Sequence, residues 1–179
     1  QIELNDWLGP EASTITSSRY DDIVNGVDTI VRYGEGDTHL GLAIDVTFTL
    51  DIQEKLDRII KDIENHILTE IKYFASPNPE DPDEYTYVGS QKVPRVVIGV
   101  GKKAVQDLAH LWLEKDKKAL QKHPIQYVIG AEILDQLIFG EEYARSRNAN
   151  DIAAAYKQVR IIVEKNLQRK KDGVWKKER

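Results

Sequence analysis

Asp28 and Asp45 stand in the two arms of GVDTIVRYGEGDTHLGLAIDVTFTL, where apolar runs flank a turn-like GEGDTH. A turn centred on Gly36-Asp37 is a favoured hairpin dipeptide. It makes antiparallel partner numbers sum to 73, which sets Asp28 opposite Asp45. Directly opposed residues have Cβ atoms about 4.5–5.5 Å apart, and like charges there repel. One carboxylate can hold a proton, a basic residue can sit between the two, or a divalent cation can bridge them. The plainer alternative is a surface hairpin with two solvated acids, in which case Asp45→Ala is neutral or stabilising because it removes a repulsion. The register puts Asp28, Ile30, Ala43, Asp45 and Thr47 on one face, and Val27, Thr29, Val31, Leu42, Ile44 and Val46 on the other, apolar one. A slip of one residue would destroy that division. The apolar face assigns the hairpin to a central sheet, and a helix is expected over part of the acid face.

GVDTIVRYGEGDTHLGLAIDVTFT resembles the core hairpin of the PD-(D/E)XK nuclease superfamily, which includes restriction endonucleases and archaeal Holliday junction resolvases. That family carries an acid on one strand and, after a turn, an acid-x-lysine on the next. Asp28 matches the first acid and Asp45 the second, while Thr47 stands where the family has lysine. The resemblance spans residues 11–74 and the order helix, hairpin, helix, strand. It implies a restriction-endonuclease-like mixed sheet flanked by helices, acting on nucleic acid. Mg²⁺ or Mn²⁺ would take oxygen ligands from Asp28, Asp45 and the carbonyl of Val46, with a third acid from Asp22, Asp21 or Glu11. Mg²⁺ accepts few protein ligands because it keeps several waters. The bound ion polarises a phosphodiester oxygen and lowers the pKa of a water. The family's lysine positions that water and stabilises charge on the phosphate, and losing such a group costs on the order of 10²–10³ in rate. Lys55, in the first turns of the next helix, and Lys72, in IKYF, are the candidates to replace it. For each, an ordinary surface lysine is the simpler account. The simpler account of Asp21 and Asp22 is local bonding at a turn.

The elements that must position these groups are legible in outline. Residues 11–24 read as a short helix stopped at Asn25-Gly26. Asp51 with Glu54 resembles a capping box, and Ile52, Leu56, Ile59, Ile60, Ile63 and Ile67 give the following helix its stripe. Residues 71–74 read as a strand, the proline- and acid-rich SPNPEDPDEYTYVGSQ as a loop, and RVVIGV as a strand buried on both faces. The central sheet is thus expected from residues 27–33, 42–50, 71–74 and 95–100. A helix follows over 101–114. The stripes of 124–147 and 152–167 predict two appended C-terminal helices that face each other or a second subunit, in a homodimer. The division is therefore a nuclease-like α/β core over 1–122 and a helical extension over 123–179. GVGKK lacks the spacing of a phosphate loop and reads as a tight strand-to-helix turn. The four histidines show no ligand spacing, and Trp112 reads as core.

Composition sets bounds on function. The chain has 179 residues and no cysteine, which excludes disulfides and cysteine–zinc sites and fits a cytoplasmic protein. No run has the length of a membrane span. Methionine is absent, so Gln1 is no initiator and the chain reads as a trimmed product. The net charge of -5 gives no general attraction for nucleic acid, so binding needs a local basic patch. The basic tail beyond Lys165 reads as a solvated helix end. Three functions follow from these signals: a metal-dependent nuclease, a catalytically inactive relative acting as a binding or scaffold module, and an interaction protein with incidental acids.

Overall fold

The computed structural model describes residues 6–34, 40–49, 51–77 and 85–172. Strand β1 (Ala12–Thr16) leads through a single π-helical turn (Asp21–Asn25) to β2 (Thr29–Tyr33) and β3 (Leu40–Thr47). Helix α1 (Gln53–Glu64) precedes a strand pair, β4 (Thr69–Pro77) and β5 (Tyr85–Val93), and then β6 (Arg95–Gly99). Four helices complete the chain: α2 (Lys102–Leu113), α3 (Lys117–Lys122), α4 (Ile125–Ser146) and α5 (Asn150–Lys171). The main sheet has the order β1-β2-β3-β6, antiparallel except for β6, which runs parallel to β3. The chain is therefore mixed α/β, with a four-stranded mixed sheet and packed helices. Among the described residues, β4 and β5 pair only with each other.

The β2–β3 register is the expected one: Thr29 pairs with Ile44 and Val31 with Leu42, each a sum of 73. The turn at Gly36-Asp37 lies outside the described residues. Several expectations need correction. Residues 11–24 are not a helix; Ala12–Thr16 is a β-branched run that pairs with β2, and only the stop at Asn25-Gly26 holds. Residues 71–74 belong to the separate β4–β5 pair, so β1 takes their place in the main sheet. The segment taken as a loop supplies β5. Asp51 caps nothing: α1 starts after Ile52 with no side-chain cap. The short α3, whose Asp116 carboxylate accepts from the Ala119 amide at 2.9 Å, was not foreseen.

Both faces of the sheet are covered. Val31, Leu42, Ile44 and Val96 pack with Ile59 and Ile63 of α1, and with Ile133, Leu137, Ile152 and Tyr156 of the last two helices. Each fully buried side chain of this size contributes about 1.5–3 kcal/mol. On the other face, Ile30 and Ala43 pack with Val27, Ile71 and Val93. Val27 thus joins the opposite face from the one expected, because β2 begins only at Thr29 and the chain before it has left the strand alternation.

β6 is a border strand, and a border strand exposes unpaired backbone groups. Here two side chains pair with them. Gln136 donates to the Val97 carbonyl at 2.6 Å and accepts from its amide at 2.9 Å. The Tyr156 hydroxyl donates to the Arg95 carbonyl at 3.2 Å. These bonds lock α4 and α5 onto the sheet. The two helices pack on each other closely enough that a Cβ at Gly140 would collide with the Tyr156 ring, and one at Gly130 would lie 2.5 Å from a Leu167 methyl. Buried Glu141 of α4 pairs with Arg145 and, at 2.7 Å, with Arg160 of α5. Trp7, not Trp112, is core: it is 2 % exposed and its indole N–H donates to the Leu120 carbonyl at 3.2 Å. Trp112 is 58 % exposed on α2.

Candidate active site

Asp45 sits near the end of β3, on the Ala43 side of the sheet, and is buried. Its position follows from strand alternation, which turns residues 43 and 45 the same way. Two cations hold it. Lys55 Nζ lies 2.5 Å from Oδ1, and Arg95 Nη2 lies 2.7 Å from Oδ2. Lys55 comes from the first turn of α1, one helical turn before the buried Ile59 that anchors that helix. Arg95 opens β6, where the parallel register sets it beside Ala43 and points it along the same face.

Asp28 lies one residue before β2 and is half-buried. Its amide donates to the Ile44 carbonyl at 3.1 Å, and its Oδ2 accepts from the Val46 amide at 2.6 Å. Asp28 is therefore tethered to the residue that follows Asp45. The paired register ends at Thr29–Ile44, one residue short of Asp28 and Asp45. Lys55 and Arg95 oppose the charge of Asp45, and the Val46 N–H supports the Asp28 carboxylate. Thr47 is half-buried at the end of β3.

Arg95 does more than pair with Asp45. Its Nη1 donates to the Asn25 carbonyl at 2.8 Å and its Nη2 to the Gly26 carbonyl at 2.9 Å. Gly26 has φ +63°, and a Cβ there would come within 2.8 Å of Arg95 Nη2, so glycine is required twice over. Arg95 Nε is buried with no partner among the described residues. Sequence reasoning missed this arginine. The signal was present: a cation opening an otherwise apolar strand, VVIGV, must find a carboxylate if buried.

The remaining candidates fall elsewhere. Asp21, fully buried, accepts from Ser18 Oγ at 2.8 Å, Asn25 Nδ2 at 2.9 Å and the Lys72 amide at 3.0 Å. It fastens the 21–25 turn to β4, in line with the local role foreseen. Asp22 is exposed on the same turn, and Glu11 is exposed before β1. No three of the described His, Asp and Glu side chains converge as a metal cluster, so Asp22 does not join Asp28 and Asp45. The Lys72 ammonium lies 4.8 Å from the centre of the Tyr20 ring, and Lys55 is the lysine brought to Asp45. Val46 turns its backbone amide toward Asp28, and residue 46 stands in register with Ile98 of β6.

Asp45 lines a polar cleft of about 480 Å³ between α1 and Gly26, the residue that ends the 21–25 turn. Four cations line it, Lys55, Arg58, Lys61 and Arg95, against the carboxylates of Asp45, Glu54 and Asp57. Four positive charges against three negative ones leave the cleft mildly basic in a chain of net charge -5. Next to it, burial raises the Asp62 carboxyl above its ordinary range, against the pull of Arg95 and Arg58. Among the described residues, no helix is long and apolar enough to cross a membrane. Compared with protein-family models, curated proteins and solved structures, the chain matches none.

Proposed function

We propose that this chain is a nuclease-like phosphodiesterase of the PD-(D/E)XK type, acting on nucleic acid with Mg²⁺ or Mn²⁺. One observation carries the reading: Lys55 Nζ lies 2.5 Å from Asp45 Oδ1, so α1 supplies beside the second acid the lysine that Thr47 lacks. The order of hairpin, helix and a later strand parallel to β3 supports it, as does the basic cleft around the pair. Each carboxylate of the pair keeps acceptor capacity, since an ionised carboxylate offers about four lone-pair sites. Donor chemistry therefore suits a hard divalent ion, held by Asp28, Asp45 and the Val46 carbonyl with water completing the shell. The ion supplies a water of lowered pKa when bound. Lys55 and Arg95 both hold Asp45, so a divalent ion would compete with Lys55 for that carboxylate. Lys55, once displaced from Asp45, can stabilise charge on the phosphate, while Arg58 and Lys61 hold neighbouring diester oxygens.

A second reading is a catalytically inactive binding module of the same fold. It is favoured by Arg95, whose bonds to Asp45 and to two carbonyls make Asp45 a structural anchor. Melting with and without Mn²⁺ separates the two. A native-state ligand stabilises by mass action, so the first reading expects Mn²⁺ to raise the melting temperature of wild type and not of Asp28→Asn. Equal shifts in both proteins, or none in either, remove the metal site. Cleavage assays on plasmid, single-stranded DNA and RNA then identify the substrate. Binding without cleavage on all three supports the inactive module.

A further inference from the structure

The 21–25 turn exposes apolar side chains beside a cationic cleft. Ile23 is 70 % exposed, Val24 48 % and Tyr20 42 %. Single exposed hydrophobic residues are ordinary, but three within five positions on a turn fastened from every side are not. Asp21 bonds to Ser18, Asn25 and the Lys72 amide. Asn25 donates to the Glu70 carbonyl at 2.9 Å, and Arg95 grips the carbonyls of Asn25 and Gly26. Arg58 Nη2 donates to the Val24 carbonyl at 3.2 Å, joining the turn to the cleft wall. The turn is thus preorganised, and its exposed residues lose little freedom on contact with a ligand.

We propose that the turn is a base-contacting wedge, with Ile23 and Val24 meeting the bases of a single-stranded or locally opened strand whose phosphates lie on Arg58 and Lys61. The inference rests on the nucleic-acid reading of the same cleft. Charge complementarity selects the occupant. Lys55, Arg58 and Lys61 follow one another every third residue along α1, about 4.5 Å of rise per step, which is a track for a linear polyanion. A strand on that track carries its bases, the apolar part of the ligand, to one side of the phosphates. The Arg58–Val24 bond puts the wedge within one side chain's reach of the track. Apolar side chains inserted against bases are an established means of holding unstacked nucleic acid.

The test is fluorescence anisotropy in EDTA, which suppresses cleavage, with two probes: a short single-stranded oligodeoxynucleotide, and the same strand with abasic residues at its centre. Wild type is expected to prefer the base-bearing probe by about tenfold, the effect of burying roughly two methylene equivalents. Ile23→Ala shrinks that preference to within about twofold, and Ile23→Leu keeps most of it. Lys61→Ala weakens both probes alike and lowers the salt slope by about 1. Ile23 is exposed, so its variants fold, and unchanged melting temperatures check this. Equal binding of the two probes by wild type, with Ile23→Ala indistinguishable from it, overturns the wedge and leaves backbone binding intact. Loss on both probes alike in Ile23→Ala overturns it as well. Binding of neither probe at low salt overturns the wedge and the nucleic-acid reading together.

Discussion

Asp45→Ala destabilises the fold, the reverse of what two facing acids suggest. Removing Asp45 leaves the Arg95 guanidinium 3 % exposed, with the carbonyls of Asn25 and Gly26 as partners and Nε already unbonded. Breaking a buried pair from one side costs about 3–5 kcal/mol, because the surviving charge is uncompensated. Lys55 adds little to this figure: its side chain is 39 % exposed and can turn to water, so its share is about 0–1 kcal/mol. For a chain of this size the total corresponds to a fall of about 6–20 °C in melting temperature. Urea unfolding followed by tryptophan fluorescence measures it, with Trp7 as the buried reporter. Lys55→Ala in the same assay costs less than about 1 kcal/mol. Adding Arg95→Met to Asp45→Ala removes the orphan charge and restores a large part of the loss. Asp45→Ala as stable as wild type, or Lys55→Ala costing more than Asp45→Ala, would refute the reasoning.

Gly140→Ala costs about 1–3 kcal/mol, since the new methyl meets the rigid Tyr156 ring; Gly130→Ala costs less, because the Leu167 side chain can rotate. Thermal melts of the two variants rank them, and equal costs would argue against the tight α4–α5 contact. Burial pushes the Tyr156 phenol up to about 12 from 10.0, so the folded state keeps a proton that the unfolded chain gives up. Stability from this group is whole below pH 10 and is lost between pH 10 and 12, on the order of 3 kcal/mol. Tyr33, raised by burial in the same direction, adds to the loss. Phenolate absorbance that develops along with unfolding checks this, and phenolate forming in a chain that stays folded contradicts it. Gln136→Leu leaves the amide and carbonyl of Val97 without their partners and costs about 1–3 kcal/mol, read from the urea midpoint. Thr47→Lys adds little to any cleavage rate if Lys55 already supplies the charge; a large gain would assign the lysine's role to position 47.

The hairpin register was legible because period-two alternation is unforgiving: a slip would have buried Asp45 among Leu42 and Ile44. The long stripes of α4 and α5 were legible because 3.6-residue periodicity over 22 residues leaves one solution. β1 was not, because ASTIT is short and follows polar sequence, and it gains its strand only by pairing with β2. β5 was hidden by the prolines and acids that precede it. At the cleft, spacing in the hairpin singles out Asp45, and the helix that follows offers Lys55, which pairs with it. Arg95 escaped because its partner is 50 residues away in sequence and a parallel strand brings the two together. The stability role of Asp45 was hidden with it. Two acids in view suggested repulsion, and the cation that reverses the sign came from a strand read as purely apolar.

The most direct measurement of the central claim is the rate of phosphodiester cleavage by wild type and Lys55→Ala, with Mg²⁺ or Mn²⁺, on the best of the plasmid, single-stranded DNA and RNA substrates. Lys55→Ala is the informative variant because it removes the charge beside Asp45 at little cost to the fold. The predicted result is metal-dependent cleavage by wild type and a loss of about 10²–10³ in the variant, with melting temperatures that stay close. Cleavage by Lys55→Ala at the wild-type rate would contradict the claim that α1 supplies the missing lysine.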